Sequence, residues 1–151
     1  MKTIYLTKGL PASGKTTWAL EKLKSVQDGS IKRVNKDDLR SMIDGGKYSK
    51  GNEKFILTVR DVIVAGALAE GRHVIVDDTN LDPKHEKRMR EIAQGFNAHV
   101  EVVEFYGVSL EECIERDAKR AKPVGEENIR KMYDRYLRKE GITTSSLHQN
   151  E

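Results

Sequence analysis

The chain has 151 residues, of which 27 are basic and 24 acidic, for a formal net charge of +3. That length fits one domain burying roughly two thirds of the surface its unfolded chain exposes, and so small a charge neither demands nor excludes a nucleic-acid partner. Its one cysteine, Cys113, excludes an internal disulfide and fits a reducing compartment, while no apolar run reaches the length of a membrane span or a secretory leader. The expectation is a soluble, cytoplasmic protein with no membrane partner.

The first element is a short apolar strand at Ile4, Tyr5 and Leu6. It leads into Gly9-Leu10-Pro11-Ala12-Ser13-Gly14-Lys15-Thr16, which matches the P-loop pattern G-x-x-x-x-G-K-[ST]. A helical pattern follows, with Ala19, Leu23 and Val26 on one face. Strand, loop and helix thus come in the order anion capture requires. Gly9 and Gly14 allow turns in which backbone N–H groups converge on a phosphate at the positive end of the helix. Lys15 supplies a mobile charge for the β- and γ-phosphates, and the Thr16 hydroxyl is placed to ligate Mg²⁺. Binding of ATP or another nucleoside triphosphate is the firmest functional expectation.

Asp28-Gly29-Ser30 marks a turn, and Ile31 to Asn35 reads as a second strand. A helix opens at Asn35 or Lys36, carries Asp37 and Asp38 in its first turn, and ends at Asp44-Gly45-Gly46. Lys47 to Asn52 reads as a loop. From Asn52 to Glu70 the residues Phe55, Val59, Val62, Ile63 and Ala67 recur at helical spacing. His73 to Asp77 is a strand apolar on both faces, Pro83 to Gln94 a helix with proline in its first turn, and Val100 to Phe105 the next strand. Ser109 and Glu112 form a capping box for a helix from Leu110 toward Ala121. Pro123 and Gly125 break it, and Glu126 to Leu137 is the last helix. Residues 1–140 are read as one domain and 141–151 as a polar, frayed tail. Alternating strands and helices imply an α/β fold, a parallel sheet with helices on both faces.

In such a sheet reactive groups gather at the carboxyl ends of the strands. After the second strand comes Asn35-Lys36-Asp37-Asp38-Leu39-Arg40, where a carboxylate can take the proton of an incoming hydroxyl and Arg40, one turn from Asp37, can hold an anion of the acceptor. The same residues also suit a plain helix cap. After the third strand comes Asp77-Asp78-Thr79-Asn80, in which an acidic residue resembles a Walker B position acting on Mg²⁺ directly or through water. Asp78 is favoured over Asp77 as the functional one, and an Asx turn into the next helix is the bland reading. The third place is Arg116 to Lys122. Arg116 and Arg120 are neighbours on one helical face, and Arg120 at the edge of an apolar stripe would be matched by a bound phosphate, although spacing alone favours a solvated basic face. The four histidines show no metal-ligand spacing, Trp18 reads as packing, and Tyr48 and Tyr106 as loop residues with some capacity to stack on a base.

Taken together, the P-loop continued through Thr17-Trp18-Ala19, the D-D-x-R of Asp37 to Arg40, the D-T-N-L of Asp78 to Leu81 and the pair Arg116 and Arg120 resemble the kinase domain of the bacteriophage polynucleotide kinases, over Met1 to about Leu137. The resemblance implies a P-loop kinase fold with a helical lid and an enzyme that transfers the γ-phosphate of ATP, with Mg²⁺, to the 5′-hydroxyl end of DNA or RNA. It implies Asp37 as general base, Arg40 on the phosphate beside the terminal nucleoside, and Asp78 with Thr79 shaping the acceptor site. Ser13, Lys15, Thr16 and Thr17 would hold the donor, with Arg116 and Arg120 reaching it from the lid. The metal would be held by Thr16 and, through water, by Asp37 or Asp78. Lys36 and the Lys47-Tyr48-Ser49-Lys50 run would add basic charge near the acceptor. The phosphatase run D-x-D-G-T found in many phage enzymes of this type is absent here, so no 3′-phosphatase activity is expected. Two other readings are a P-loop kinase acting on a small hydroxyl compound (nucleoside, sugar or antibiotic) and a P-loop switch protein. Against the latter, no guanine-reading N-K-x-D falls at a suitable place.

Overall fold

A computed structural model of the chain describes residues 1–138; the expected polar tail, residues 141–151, and the expected domain limit at residue 140 lie outside them. The elements are β1 (Thr3–Lys8), α1 (Lys15–Ser25), β2 (Ile31–Val34), α2 (Lys36–Asp44), α3 (Lys50–Ala69), β3 (His73–Val76), α4 (Pro83–Gly95), β4 (His99–Glu104), α5 (Leu110–Ala118), α6 (Glu126–Met132) and a π-helical turn, Tyr133–Arg138. The strands form one parallel sheet in the order β2-β3-β1-β4, with Leu6 opposite both Val76 and Val102. The chain runs from β1 to β2 on one side and from β3 to β4 on the other, so the loop after β1 emerges where the winding reverses.

Period-two alternation divides the strand side chains between two layers. Ile4, Leu6, Val74, Val76 and Val100 pack against α2, α3 and α4 through Leu39, Ile56, Val64, Leu68, Met89 and Ile92. Tyr5, Ile31 and Ile75 face α1 through Trp18, Ala19 and Leu23. Trp18 is the packing residue expected, with its ring edge-on to both Tyr5 and Phe105. A third cluster lies beyond the carboxyl ends of the strands. There Leu110, Cys113, Ile129, Tyr133 and Leu137 close over Leu10 of the P-loop and Leu81 of the β3–α4 loop, and this is the helical lid.

Several boundaries differ from expectation. The long helix begins at Lys50, two residues early, because the Ser49 hydroxyl accepts the Asn52 N–H and caps it inside the expected loop. Helix α5 ends at Ala118 instead of continuing to Ala121. The cause is the carboxylate of Asp117, buried to 1% exposure, which accepts the N–H groups of Val124 at 3.0 Å and Gly125 at 2.9 Å and so turns the chain back on itself. Arg120 therefore sits in that turn and not on the helix. The final helix changes to π geometry at Tyr133, a widening that leaves no mark in the sequence period. Tyr133 and Leu137 remain buried there, and the Tyr136 hydroxyl meets Asp82 Oδ2 at 3.4 Å.

Asp117 thus carries the reversal between the two lid helices. Replacing it by alanine strands two N–H donors and is expected to lower unfolding free energy by about 2 kcal/mol, read by urea denaturation followed by circular dichroism. A variant as stable as the parent would show that the reversal needs no such tie.

Candidate active site

The P-loop is held both by bonds within it, such as Ser13 N–H to the Leu10 carbonyl at 3.2 Å, and by its neighbours. A methyl group on Gly9 would lie 2.7 Å from Ser13 Oγ and 3.0 Å from Phe105 Cβ, so only glycine fits where β1 becomes the loop. Gly14 takes φ 103° at the start of α1, an angle closed to side-chain-bearing residues, and no side chain caps that helix end. Its amides are thereby left for an anion. Lys15 is 7% exposed, and its ammonium donates to the Leu10 carbonyl at 2.6 Å and Ser13 Oγ at 3.3 Å, neither of them anionic. Burial pulls its pKa down to about 8 against the opposing pull of Asp77.

The segment after β3 is clamped to the end of β1. Thr7 Oγ1 accepts the Asp78 N–H at 3.1 Å and donates to the Asp78 carbonyl at 2.8 Å, Asn80 Nδ2 donates to the Thr7 carbonyl at 2.9 Å, and Gly9 N–H donates to the Thr79 carbonyl at 3.1 Å. The two aspartates then part company. Asp77 Oδ2 accepts the Thr16 hydroxyl at 3.1 Å and Arg33 Nε at 2.8 Å. Asp78 turns the other way: its Oδ1 accepts the Lys36 N–H at 3.0 Å, and burial pushes its pKa up to about 7 despite the pull of Lys36. It is Asp77, and not the favoured Asp78, that touches Thr16. In each carboxylate one oxygen, Asp77 Oδ1 and Asp78 Oδ2, is buried and has no hydrogen-bond partner among the described residues.

The run after β2 reaches the same space. Asn35 caps α2 by accepting the Asp38 N–H and fastens it to β3 by donating to the Asp77 carbonyl at 2.6 Å. The Asp37 side chain is 76% exposed and lies on the rim, 2.5 Å from Arg40 Nη1. Arg40 in turn grips Glu53 of α3 with Nε and Nη2, at 2.8 and 2.6 Å. These contacts use three of its five N–H donors. Across the cleft, Arg116 pairs with Glu112 at 2.9 Å and Arg120 with Asp117 at 3.3 Å, and both guanidinium groups are about half exposed.

All of these meet in one cleft of about 1130 Å³. Of the residues singled out from sequence, Gly14, Lys15, Thr16, Thr17, Asp37, Arg40, Asp78, Thr79, Arg116 and Arg120 line it, as do Lys36 and Tyr48. Gly9 and Ser13 lie behind the wall and support it. Sequence reasoning did not single out Arg33, Glu53 or His85. The contacts that bring Arg33 and Glu53 into the site, with Asp77 and Arg40, are to partners distant in the chain, and no local pattern announces them. His85 falls on the inward stripe of α4 with Met89 and Ile92, a spacing that was there to be read. Tyr106, weighed with Tyr48 for stacking, is instead half-buried against the lid cluster.

A divalent cation suits this donor set only as a shared ligand. Among the described residues no group of three or more histidine, cysteine or acidic side chains could cage a metal. A hydroxyl at Thr16 beside the Asp77 carboxylate, whose other oxygen is unpartnered among the described residues, fits Mg²⁺, which binds through one or two protein groups plus phosphates and water.

Parallel sheet, glycine-bearing loop after β1, buried lysine and overarching lid define a P-loop kinase-like nucleotide-binding fold. The chain belongs to the AAA domain family, whose sequence model matches residues 4–138. It is 29% identical over 153 residues to a putative bifunctional polynucleotide kinase/RNA ligase of Autographa californica nuclear polyhedrosis virus, an alignment covering 91% of this chain and 21% of that relative's length. It resembles a chain of the Pnkp1/Rnl/Hen1 RNA repair complex at 26% identity and a TM-score of 0.76, covering 89% of this chain and 44% of that one. A gluconokinase from Sinorhizobium meliloti shares the fold at 16% identity and a TM-score of 0.59, over 88% of this chain and 73% of that one. Among the described residues no helix is long and apolar enough to cross a membrane.

The state of Lys15 sets a pH signature. With its pKa held near 8, the ammonium is present below that pH and lost above it, so a bound phosphate favours protonation. Nucleotide affinity is expected to weaken as pH rises past 8, by at most about tenfold per pH unit, in calorimetric titrations at pH 7, 8 and 9. Titrations at alkaline pH should also show proton uptake on binding. Equal affinities at all three values would contradict the assignment.

Proposed function

We propose that the protein is a polynucleotide 5′-hydroxyl kinase, transferring the γ-phosphoryl of ATP or another nucleoside triphosphate to the 5′-OH end of DNA or RNA. The observation that carries this reading is that a single cleft is lined at one side by Gly14 to Thr17 and at the other by Lys36, Asp37 and Arg40, with Arg116 and Arg120 beside it. A triphosphate and an acceptor hydroxyl can therefore occupy the same cleft. The polynucleotide acceptor is supported by the two relatives whose names carry polynucleotide kinase and RNA repair.

In this reading the amides after Gly9 and Lys15 Nζ bind the donor's phosphates. The ammonium leaves its neutral partners, Leu10 O and Ser13 Oγ, for a charged one. Asp37 accepts the proton of the 5′-hydroxyl as its oxygen bonds to the γ-phosphorus, and the bond to the bridging oxygen breaks to release the nucleoside diphosphate. Arg40 keeps the Asp37 carboxylate in place with Nη1 and presents its two remaining N–H groups to the acceptor's first phosphodiester. Arg116 and Arg120 offset charge on the transferred group, and Thr17 assists with the donor. Mg²⁺, when bound by Thr16 with Asp77 or Asp78 directly or through water, would neutralise charge on the β- and γ-phosphates.

One observation favours a different acceptor. Arg40 is already engaged by two carboxylates, Glu53 and Asp37, so a small hydroxyl compound needing no phosphate grip is the alternative. Labelled ATP with a 5′-OH oligonucleotide separates the two. The wild type should transfer label to the oligonucleotide end. Lys15→Ala and Asp37→Ala should each lose about a hundredfold or more in kcat, and Arg40→Ala should chiefly raise the oligonucleotide KM. No transfer to any 5′-OH end, with label passing instead to a saturating small acceptor, would replace this reading by the alternative.

A further inference from the structure

Behind the acceptor side of the cleft lies a polar cluster that the mechanism above does not use. Arg60, in the middle of α3, is 2% exposed, and its guanidinium pairs with Asp61 at 3.0 Å and lies 2.9 Å from His85 Nδ1. A guanidinium only donates, so Nδ1 must be the unprotonated, accepting nitrogen of the ring, and the ring proton must sit on Nε2. His85 is itself 9% exposed and belongs to the cleft wall. Among the described residues Nε2 has no hydrogen-bond partner.

A second donor in the same wall is under-satisfied. The Lys36 side chain is 14% exposed, and its ammonium is offset by the charges of Asp78 and Glu53 but hydrogen-bonded to neither, the Glu53 oxygen lying 3.8 Å away. Lys36 and His85 sense each other electrostatically, and burial lowers the pKa of both, that of His85 to about 4. The charged groups facing the ring are Lys36, Arg60 and Lys84, with Asp82 opposing them, and Glu53 also senses the ring. The ring therefore stays neutral throughout the range in which the protein would work. Two donors in one wall, one a charged ammonium and the other a neutral N–H of fixed tautomer, suit one kind of guest: an anionic oxygen.

We propose that His85 Nε2–H and Lys36 Nζ form an anion subsite on the acceptor side of the cleft, which takes a phosphodiester oxygen of the polynucleotide, with Arg60 as the positioning residue that fixes the His85 tautomer. The subsite is separate from the Arg40 grip and rests on the polynucleotide reading given above. It makes His85 a specificity residue, since a small acceptor without a phosphodiester has nothing to place there.

The decisive variants are His85→Asn and His85→Gln. Asparagine keeps an oxygen near the Nδ1 position for Arg60 but has nothing at Nε2, whereas the longer glutamine amide restores an N–H there. The expected result is an oligonucleotide KM raised about tenfold in His85→Asn and largely recovered in His85→Gln, with the ATP KM of both and the unfolding midpoint of His85→Asn near wild type. An oligonucleotide KM within twofold of wild type in His85→Asn, or a rise that His85→Gln does not reverse, would overturn the proposal. A second measurement does not depend on turnover. In ¹⁵N-labelled protein the His85 ring should show the Nε2–H tautomer at pH 7, and its Nε2 resonance should move on adding a 5′-OH oligonucleotide. An Nδ1–H or doubly protonated ring, or a resonance indifferent to the oligonucleotide, would overturn it. An oligonucleotide that moves the resonance but is never phosphorylated would sink the kinase reading and leave the subsite standing.

Discussion

The site depends on the clamp between the ends of β1 and β3. Thr7 and Asn80 are both buried and interlock the two strand ends through one hydroxyl and one amide, and Gly9 adds a backbone bond to Thr79. Because the P-loop leaves β1 and the two aspartates leave β3, that clamp fixes where Lys15 and Thr16 stand relative to Asp77 and Asp78. Asn80 adopts φ 45° to make these bonds, a left-handed conformation that asparagine tolerates better than most residues. The strain is local and the return is a rigid floor for the cleft.

Electrostatics divides that floor in two. On the P-loop side a buried lysine has only neutral hydrogen-bond partners, a state that favours arrival of an anion. On the side of α2 and α3 nearly every charge is already matched: Arg33 with Asp38 and Asp77, Arg40 with Asp37 and Glu53, Arg60 with Asp61. Two carboxylate oxygens and the Lys36 ammonium are what remain under-satisfied. A protein using both sides would thus bind its donor chiefly through charge and its acceptor through exchange of partners. The single thiol takes no part: Cys113 is buried in the lid cluster, where desolvation pushes its pKa up to about 11.

Much of this was legible in the sequence, for reasons that can be named. The P-loop is contiguous, and its strand and helix flanks are short-range patterns, so fold and donor side could be read directly. Ser109 caps its helix as the capping box with Glu112 implies, whereas the Ser49 cap lies within a stretch read as a loop. What escaped were pairings between residues far apart in the chain. Nothing near Glu53 announces that it holds Arg40, 13 positions away, and nothing near Arg33 announces its bond to Asp77, 44 positions away. That Asp77 meets Thr16 while Asp78 meets the Lys36 N–H could not be read from two adjacent aspartates, because their partners lie on different segments distant in the chain. Which face holds α1 depends on the winding of the sheet. Helix α5 was expected to be too long because Asp117 looked like one more surface acid in a charged run, when it is the buried pivot of the turn.

The lid is not a free flap. Its apolar cluster includes Leu10 from the P-loop itself, 1% exposed, and Leu81 from the segment that follows the β3 aspartates. Swinging the lid away would uncover these two side chains at a cost of about 25 cal/mol for each Å² exposed. It would also remove the support behind Leu10, whose carbonyl accepts the Lys15 ammonium. Lid packing and the placement of the Lys15 ammonium therefore depend on the same residue. A single leucine in the loop gives the roof of the cleft a direct mechanical hold on the buried Lys15 ammonium.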